Sequence, residues 1–330
     1  MKKKVIVLGS NSFAGSYYID YLLNKKYLVY GFSRSNQPTG LLLKYKPNKN
    51  ISNFKYYKFD INKNLNFLKK FIIKNKVAYI IDFLGQGMVA ESWENPHHWY
   101  QTNIISKVKL YNFLSKNRNF KKYIRISTPE AVGDIRELIT ENTKSNPSTP
   151  YGISHLTTDL TLLAYFKYNK FPVVILRFSN FYGPHQQLYR IIPKVLYSIF
   201  SNKKFSLHGG GKSIRSFIFA DDFCEGIYKS MIRGRLGEIY NFTNREYISI
   251  FLLVKKIFSL NSANFKKLVK ITKDRPSKDP AYKMNPGKAE RELGWKPKYT
   301  LEEGLKKTIW WYKSNKRQLL RLKNIYIHKP

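Results

Sequence analysis

Val5-Ile6-Val7-Leu8-Gly9-Ser10-Asn11-Ser12-Phe13-Ala14-Gly15 decides the fold of this chain. A short β-branched apolar run halts at a glycine and gives way to helical spacing, with Tyr18, Tyr21, Leu22 and Leu23 on the pattern from Ala14 to Asn24. Leu28 to Phe32 is a second apolar run. Strand, glycine turn, helix and strand in this order make a βαβ unit with a parallel sheet. Backbone N–H groups and the helix dipole at such a turn favour a pyrophosphate. Gly9 and Gly15 are the outer glycines of a dinucleotide loop, Ser12 stands in the middle place as a small residue that admits phosphate, and Phe13 follows it.

Outward from that loop the alternation continues. Phe54 to Phe59 reads as a strand ending at Asp60-Ile61, Leu65 to Lys74 as a helix, Ala78 to Phe83 as a strand and Pro96 to Lys116 as one long helix. Tyr123 to Ser127 is a strand, Ile153 to Tyr168 a helix and Val173 to Phe178 a strand. Strands buried between two helical layers read as continuous apolar runs, and these do. After Asn180 the loops lengthen. Phe217 to Phe219 and Ile239 to Phe242 read as short strands, and Ile248 to Leu260 and Leu301 to Asn315 as helices. The expected architecture is α/β: a Rossmann-type doubly wound parallel sheet over 1–180, to which 205–240 partly returns, with a smaller C-terminal α/β substrate-binding cap over 181–330.

Composition narrows the function. The chain has 330 residues, 59 Lys+Arg against 21 Asp+Glu and a net charge of +38, which raises the question of nucleic acid or an anionic membrane. The basic residues are mostly lysines scattered along the whole length, with no basic tail, Arg-rich run or zinc-finger spacing, so a solvated basic surface is expected and no specific nucleic-acid partner. No apolar stretch reaches the roughly 20 residues of a bilayer span. The apolar run after Met1-Lys2-Lys3-Lys4 is too short for a signal peptide. One cysteine, Cys224, excludes an internal disulfide and a thiolate zinc cluster, and a reducing, cytoplasmic setting is expected. His97-His98 has no third ligand at useful spacing, so no metal is expected.

The reaction centre should form where the fifth strand ends, in Ser127-Thr128-Pro129-Glu130, and where a helix begins, in Pro150-Tyr151-Gly152-Ile153-Ser154-His155. A hydroxyl, a carboxylate and a phenol at strand and helix ends converge where an open parallel sheet holds its ligand. The second strand ends in Gly31-Phe32-Ser33-Arg34 without the acid that binds a ribose 2′-hydroxyl. Ser33 and Arg34 would face a 2′-phosphate, so the cofactor expectation is NAD or NADP with a lean to NADP.

These motifs resemble the extended short-chain dehydrogenase/reductases, and within them the nucleotide-sugar 4,6-dehydratases of the dTDP-glucose type. Leu84 to Ser92, Thr102-Asn103, Ser127 to Asp134, Arg177-Phe178-Ser179-Asn180-Phe181-Tyr182-Gly183-Pro184-His185-Gln186, Gly209 to Phe217, Asp221-Asp222, Asp274-Arg275-Pro276 and Glu292 to Pro297 carry the resemblance in order. It implies that bound NAD(P)+ takes hydride from C4 of a nucleotide-diphosphate hexose, that water leaves across C5 and C6, and that hydride returns to C6. It implies Tyr151 as base at the C4 hydroxyl, Thr128 bonded to the C4 oxygen and Glu130 as base at C5. It adds Asp60, Ile61, Leu84, Gln86, Asn103, Tyr151 and His155 to the cofactor residues. Asn180, Arg190, Arg215 and Arg275 would surround the substrate diphosphate, where guanidinium forks suit phosphate. A homodimer is implied, formed by the helices from about Pro96 and Ile153.

Two positions depart from the family pattern. Pro129 stands where the family has an acidic Asp, and His155 where it has a Lys that lowers the tyrosine pKa and holds the nicotinamide ribose. Two readings of His155 stand equally: a protonated partial substitute, its pKa raised by an adjacent phenolate, and a neutral, satisfied helix residue. The alternatives are an epimerase or reductase on the same scaffold, and a catalytically weakened dinucleotide-binding protein. Restoring Lys at 155 would separate a decayed enzyme from a different chemistry.

Overall fold

The computed structural model describes residues 3–117, 119–135, 137–274 and 281–330. The opening run forms β1 (Lys4–Leu8), then α1 (Phe13–Asn24) and β2 (Leu28–Ser33). The first half continues with β3 (Phe54–Lys58), α2 (Leu65–Asn75), β4 (Tyr79–Asp82), α3 (Ser106–Lys116), β5 (Lys122–Ser127), α4 (Pro150–Asn169) and β6 (Val173–Phe178). Thereafter come β7 (Asn180–Tyr182), α5 (Ile191–Ser201), β8 (Phe205–His208), β9 (Ile214–Phe219), α6 (Ala220–Arg233), β10 (Ile239–Phe242), β11 (Tyr247–Ser249), α7 (Ile250–Leu260), β12 (Val269–Thr272), α8 (Gly287–Leu293) and α9 (Leu301–Ser314).

The main sheet has seven parallel strands in the order β10-β6-β5-β4-β1-β2-β3. The order reverses beside β1, which opens a crevice at the carboxyl ends of β1 and β4. Both faces are covered, as the continuous apolar strands require. Val5 and Val7 pack into one core with α1 and α6, and Ile6 and Leu8 into the other with α2 and α3. The doubly wound expectation therefore holds. β10 joins this sheet from the second half of the chain, and α6 covers it. The remaining strands form a three-stranded sheet, β11-β9-β7, and a pair, β12-β8, with a core of their own around Leu196, Phe217, Leu253, Ile257 and Leu305.

Two boundaries differ from the sequence pattern. Pro96 to Lys116 is not one regular helix: a short turn at Pro96–Trp99 runs into a π-helical stretch, Tyr100–Ile105, before α3. The wide turn carries the buried Thr102 and Asn103. Ile248 pairs with Arg215 in a strand, and the helix starts only at Ile250, because the Ser249 hydroxyl caps it by accepting from the Leu252 N–H. Among the described residues no helix is long and apolar enough to cross a membrane.

Candidate functional site

The glycine loop is built tightly enough to explain its composition. Gly9 has φ +81°, and a Cβ there would meet the Phe83 backbone at 2.9 Å. A Cβ on Gly15 would meet the Gly9 carbonyl oxygen at 2.3 Å. The Ser12 hydroxyl donates to the Gly9 carbonyl at 2.7 Å and accepts from the Gly15 N–H at 3.0 Å, so it is the N-cap of α1. Phe13 and Ala14 follow as the first turn, where N–H groups have no helical acceptor. This cradle, closed to side chains and ending on a helix N-terminus, fits a dinucleotide pyrophosphate.

Above β5 the sequence-predicted catalytic residues come together. Thr149 caps α4 by accepting from the Gly152 N–H at 3.0 Å, and Pro150 occupies the first helical position, where its missing N–H costs nothing. Tyr151, His155 and Asp159 are then four residues apart and form one stripe along α4. Gly152 is the point of closest approach: a Cβ there would lie 2.5 Å from the Glu130 carbonyl oxygen. That contact brings Tyr151 against Thr128 and Glu130. Pro129 begins a single 3₁₀ turn over Pro129–Ala131, and the Thr128 hydroxyl donates to the Glu130 carboxylate. Burial, then Glu130, push the Tyr151 phenol up to about 12, while the Thr128 hydroxyl, Arg190 and Arg125 pull the other way.

Of the two readings of His155, the geometry favours the neutral ring over the protonated imidazole. Its Nδ1 lies 2.9 Å from Nη2 of Arg125. A guanidinium only donates, so Nδ1 accepts and the ring is neutral with its proton on Nε2. Burial, with Arg125 and Lys107 nearby, holds its pKa well below the ordinary histidine range. The ring lies against Tyr151, with centroids 4.5 Å apart.

Arg125 belongs to a buried ionic cluster that sequence reading did not single out. Its Nε lies 3.3 Å from Asp159, and its Nη1 3.8 Å from Asp82. Lys107 donates to Asp82 at 2.7 Å, and the Ser127 hydroxyl donates to Asp159. Asp82 and Arg125 are register partners on β4 and β5. The signal was there: an arginine inside Tyr123-Ile124-Arg125-Ile126 and an aspartate ending Tyr79-Ile80-Ile81-Asp82, both in strands read as fully buried.

The remaining candidates are scattered around this centre. Asn103 donates to Ser154 at 3.0 Å and accepts from the Gln86 N–H at 2.8 Å, so it ties the loop after β4, with Leu84, to α4. Asp60 accepts from the Asn62 N–H at 2.9 Å and Ile61 is buried beside it. Ser33 accepts from the Asn11 N–H at 3.0 Å. Asn180 is exposed, and so is Arg190 at the start of α5, stacked on Tyr189. Arg215 lies over the ring of Tyr282 at 4.4 Å. Arg275 lies outside the described residues, as does Arg136.

A second feature was missed. Lys329 and Pro330 bond to the loops that follow β2 and β4. Gln86 donates to the Lys329 carbonyl at 2.7 Å, Arg34 to the Pro330 carbonyl, and Lys329 to the Ser35 hydroxyl at 3.1 Å. His328 stacks on Trp99 and shares a hydrogen bond of 2.8 Å with His98.

Residues 6–308 match the family model described as GDP-mannose 4,6 dehydratase. The dTDP-D-glucose 4,6-dehydratase of Homo sapiens is 31% identical over 324 residues, covering 95% of this chain and 91% of the human one. The solved dTDP-glucose 4,6-dehydratase DesIV of Streptomyces venezuelae, with NAD and TYD bound, matches with a TM-score of 0.88 at 25% identity, over 96% of this chain and 98% of that one. The dTDP-glucose 4,6-dehydratase of Bacillus anthracis, in complex with NAD, matches with a TM-score of 0.86 at 29% identity, over 96% and 98%.

Proposed function

The chain belongs to the GDP-mannose 4,6 dehydratase family, and from that premise we propose how its residues divide the work. It is a nucleotide-sugar 4,6-dehydratase-like enzyme. The observation that carries the division of labour is the convergence of Thr128, Glu130 and Tyr151 at the end of β5, with Gly152 seated on the Glu130 backbone.

NAD, when bound, accepts hydride from the hexose C4 and returns it to C6. Gly9, Ser12, Phe13 and Gly15 hold its pyrophosphate. Asp60, Ile61, Leu84, Gln86 and Asn103 line its path toward Tyr151 and His155. NAD rather than NADP is the reading here: DesIV and the Bacillus anthracis enzyme carry NAD, Ser33 is bonded to Asn11 and Arg34 to Pro330.

Tyr151 removes the C4 hydroxyl proton, with Thr128 hydrogen-bonded to the same oxygen. Glu130 removes the C5 proton, made acidic by the adjacent carbonyl. Pro129 has no proton to give. Glu130 therefore passes the C5 proton to the departing C6 hydroxyl, which leaves as water; as hydride reaches C6, Glu130, reprotonated from solvent, returns a proton to C5, and the proton that Tyr151 took from the C4 hydroxyl goes to solvent. Asn180, Arg190, Arg215 and Arg275 bind the nucleotide diphosphate, and the scattered lysines draw in the anionic substrate.

The chain divides near residue 180, with 205–240 partly returning to the first unit, a reading supported by α6 and β10 on the main sheet, while β8 and β9 pair in the smaller sheets. A homodimer is supported by exposed Ile105, Ile153 and Leu160 on the helices expected to pair, and sedimentation velocity tests it. A cytoplasmic setting is supported by Cys224, which is free and buried.

The experiment is incubation with NAD and a panel of nucleotide hexoses, read by mass spectrometry for loss of one water. Product from at least one sugar is expected. No product from any, with NAD still bound, would overturn the reading in favour of a weakened dinucleotide-binding protein. Inversion without water loss would favour the epimerase.

A further inference from the structure

A phenol that must lose its proton to act as a base needs positive charge nearby. Burial and Glu130 both work against Tyr151, and its neighbour one helical turn on, His155, is neutral. The charge must come from elsewhere. We propose that Arg125 is a positioning residue of the active site: from inside the sheet it holds His155 as a neutral Nδ1 acceptor against Tyr151 and supplies the buried positive charge that favours the phenolate. The inference rests on the assignment of Tyr151 as base.

The geometry has three parts. The fork of Arg125 is fixed from two sides, by Asp159 at 3.3 Å and Asp82 at 3.8 Å, and its Nη2 faces His155 at 2.9 Å. Lys107 neutralises Asp82 at 2.7 Å, which leaves Arg125 less compensated toward the helix. His155 lies between this cation, bonded at its Nδ1, and the Tyr151 ring, which is tilted 45° to it at 4.5 Å between centroids. The charged groups felt at Tyr151 are Glu130 in the loop after β5, Arg190 at the start of α5 and Arg125 on β5, and those at His155 are Arg125 and Lys107 on α3, with Asp82 on β4 and Asp159 on α4 bonded to these cations. Cations are the groups felt at His155. The ring cannot carry the charge itself, because a proton on Nδ1 would point at the guanidinium.

The guanidinium is part of the sheet's ionic cluster, so a purely structural role is the competing explanation. Arg125→Met keeps the length and removes the charge. Two readouts separate the roles in the full chain. In the first, ¹⁵N resonances of the His155 ring, assigned by their loss in His155→Gln, report its protonation. In the second, reduction of bound NAD on mixing with the accepted nucleotide hexose is followed against pH.

In the wild-type chain His155 should remain neutral, with its proton on Nε2, to well below the ordinary histidine range. In Arg125→Met its titration should move up toward the ordinary histidine range, with burial still holding it below that range, and the ascending limb of the rate, which reports loss of the Tyr151 proton, should move up by about one pH unit with KM changed less than about twofold. Arg125→Met/His155→Lys should return the limb toward its wild-type position, because the lysine brings its own charge. If Arg125→Met does not fold, Arg125→Lys is read in its place: it should keep the limb within a few tenths of a pH unit while the His155 resonances change. A limb unmoved in folded Arg125→Met, a limb moved in Arg125→Lys as far as charge loss requires, or a wild-type His155 protonated on Nδ1 would overturn the inference. If the wild type reduces NAD with no nucleotide hexose, the functional reading falls, and the His155 resonances still decide whether Arg125 sets this ring.

Discussion

Arg125 and His155 meet nitrogen to nitrogen across 2.9 Å, on β5 and α4. That contact decides what position 155 can hold. The pocket contains two cations, Arg125 and Lys107, balanced by two carboxylates, Asp82 and Asp159.

His155→Lys alone should therefore harm the protein. A third cation would face Arg125 with no acid to pair with, and an uncompensated buried charge costs about 3 kcal/mol or more. The expected result is a lower midpoint in urea and no gain in turnover. A gain in turnover at unchanged stability would mean that the pocket accepts another cation and that the neutral histidine is a defect.

Glu130→Gln keeps the shape of the carboxylate and removes its basicity. Turnover should fall by about 10²–10⁴, exchange of the C5 proton with solvent should stop, and NAD affinity should stay within about twofold. Continued exchange at C5 would transfer the base to another residue.

Much of this was legible in the sequence, and the reasons differ by residue. Gly9 and Gly15 were readable because their backbone contacts admit no side chain, which is a local constraint. The strands were readable because burial on both faces leaves continuous apolar runs. Tyr151 and Glu130 were readable through motif and position. The state of His155 was not, since it is set by Arg125, 30 residues away in sequence. Nor were the bonds from Lys329 and Pro330 to Gln86 and Arg34, which span more than half the chain.

His185 should make stability fall in acid. It is nearly buried against Trp311, and its Nδ1–H donates to the Leu41 carbonyl at 2.9 Å. Burial lowers its pKa to about 4, below the about 6.5 of an unfolded chain. The unfolded state thus takes up the proton first. Stability from this group is complete above about pH 6.5 and is lost as pH falls toward about 4, by about 3 kcal/mol in all. His155 acts in the same direction. Urea midpoints between these values test it, and His185→Asn should flatten the slope; an unchanged slope would locate the acid sensitivity elsewhere.

The Lys329 carbonyl occupies the side chain of Gln86, which is assigned to the cofactor. A chain shortened before Ile327 should bind NAD more tightly, by about fivefold for each net hydrogen bond of about 1 kcal/mol no longer displaced. Calorimetric titration of both chains gives the answer. Equal or weaker binding would show that this segment supports the cofactor site instead of competing for it.

The most direct test of the central claim, oxidation at C4 followed by return of hydride to C6, uses the nucleotide hexose that the panel shows to be accepted, carrying deuterium at C4. The product should be the 4-keto-6-deoxy sugar with that deuterium on C6, as read by proton and deuterium NMR. Deuterium still on C4, or lost to water, would contradict it.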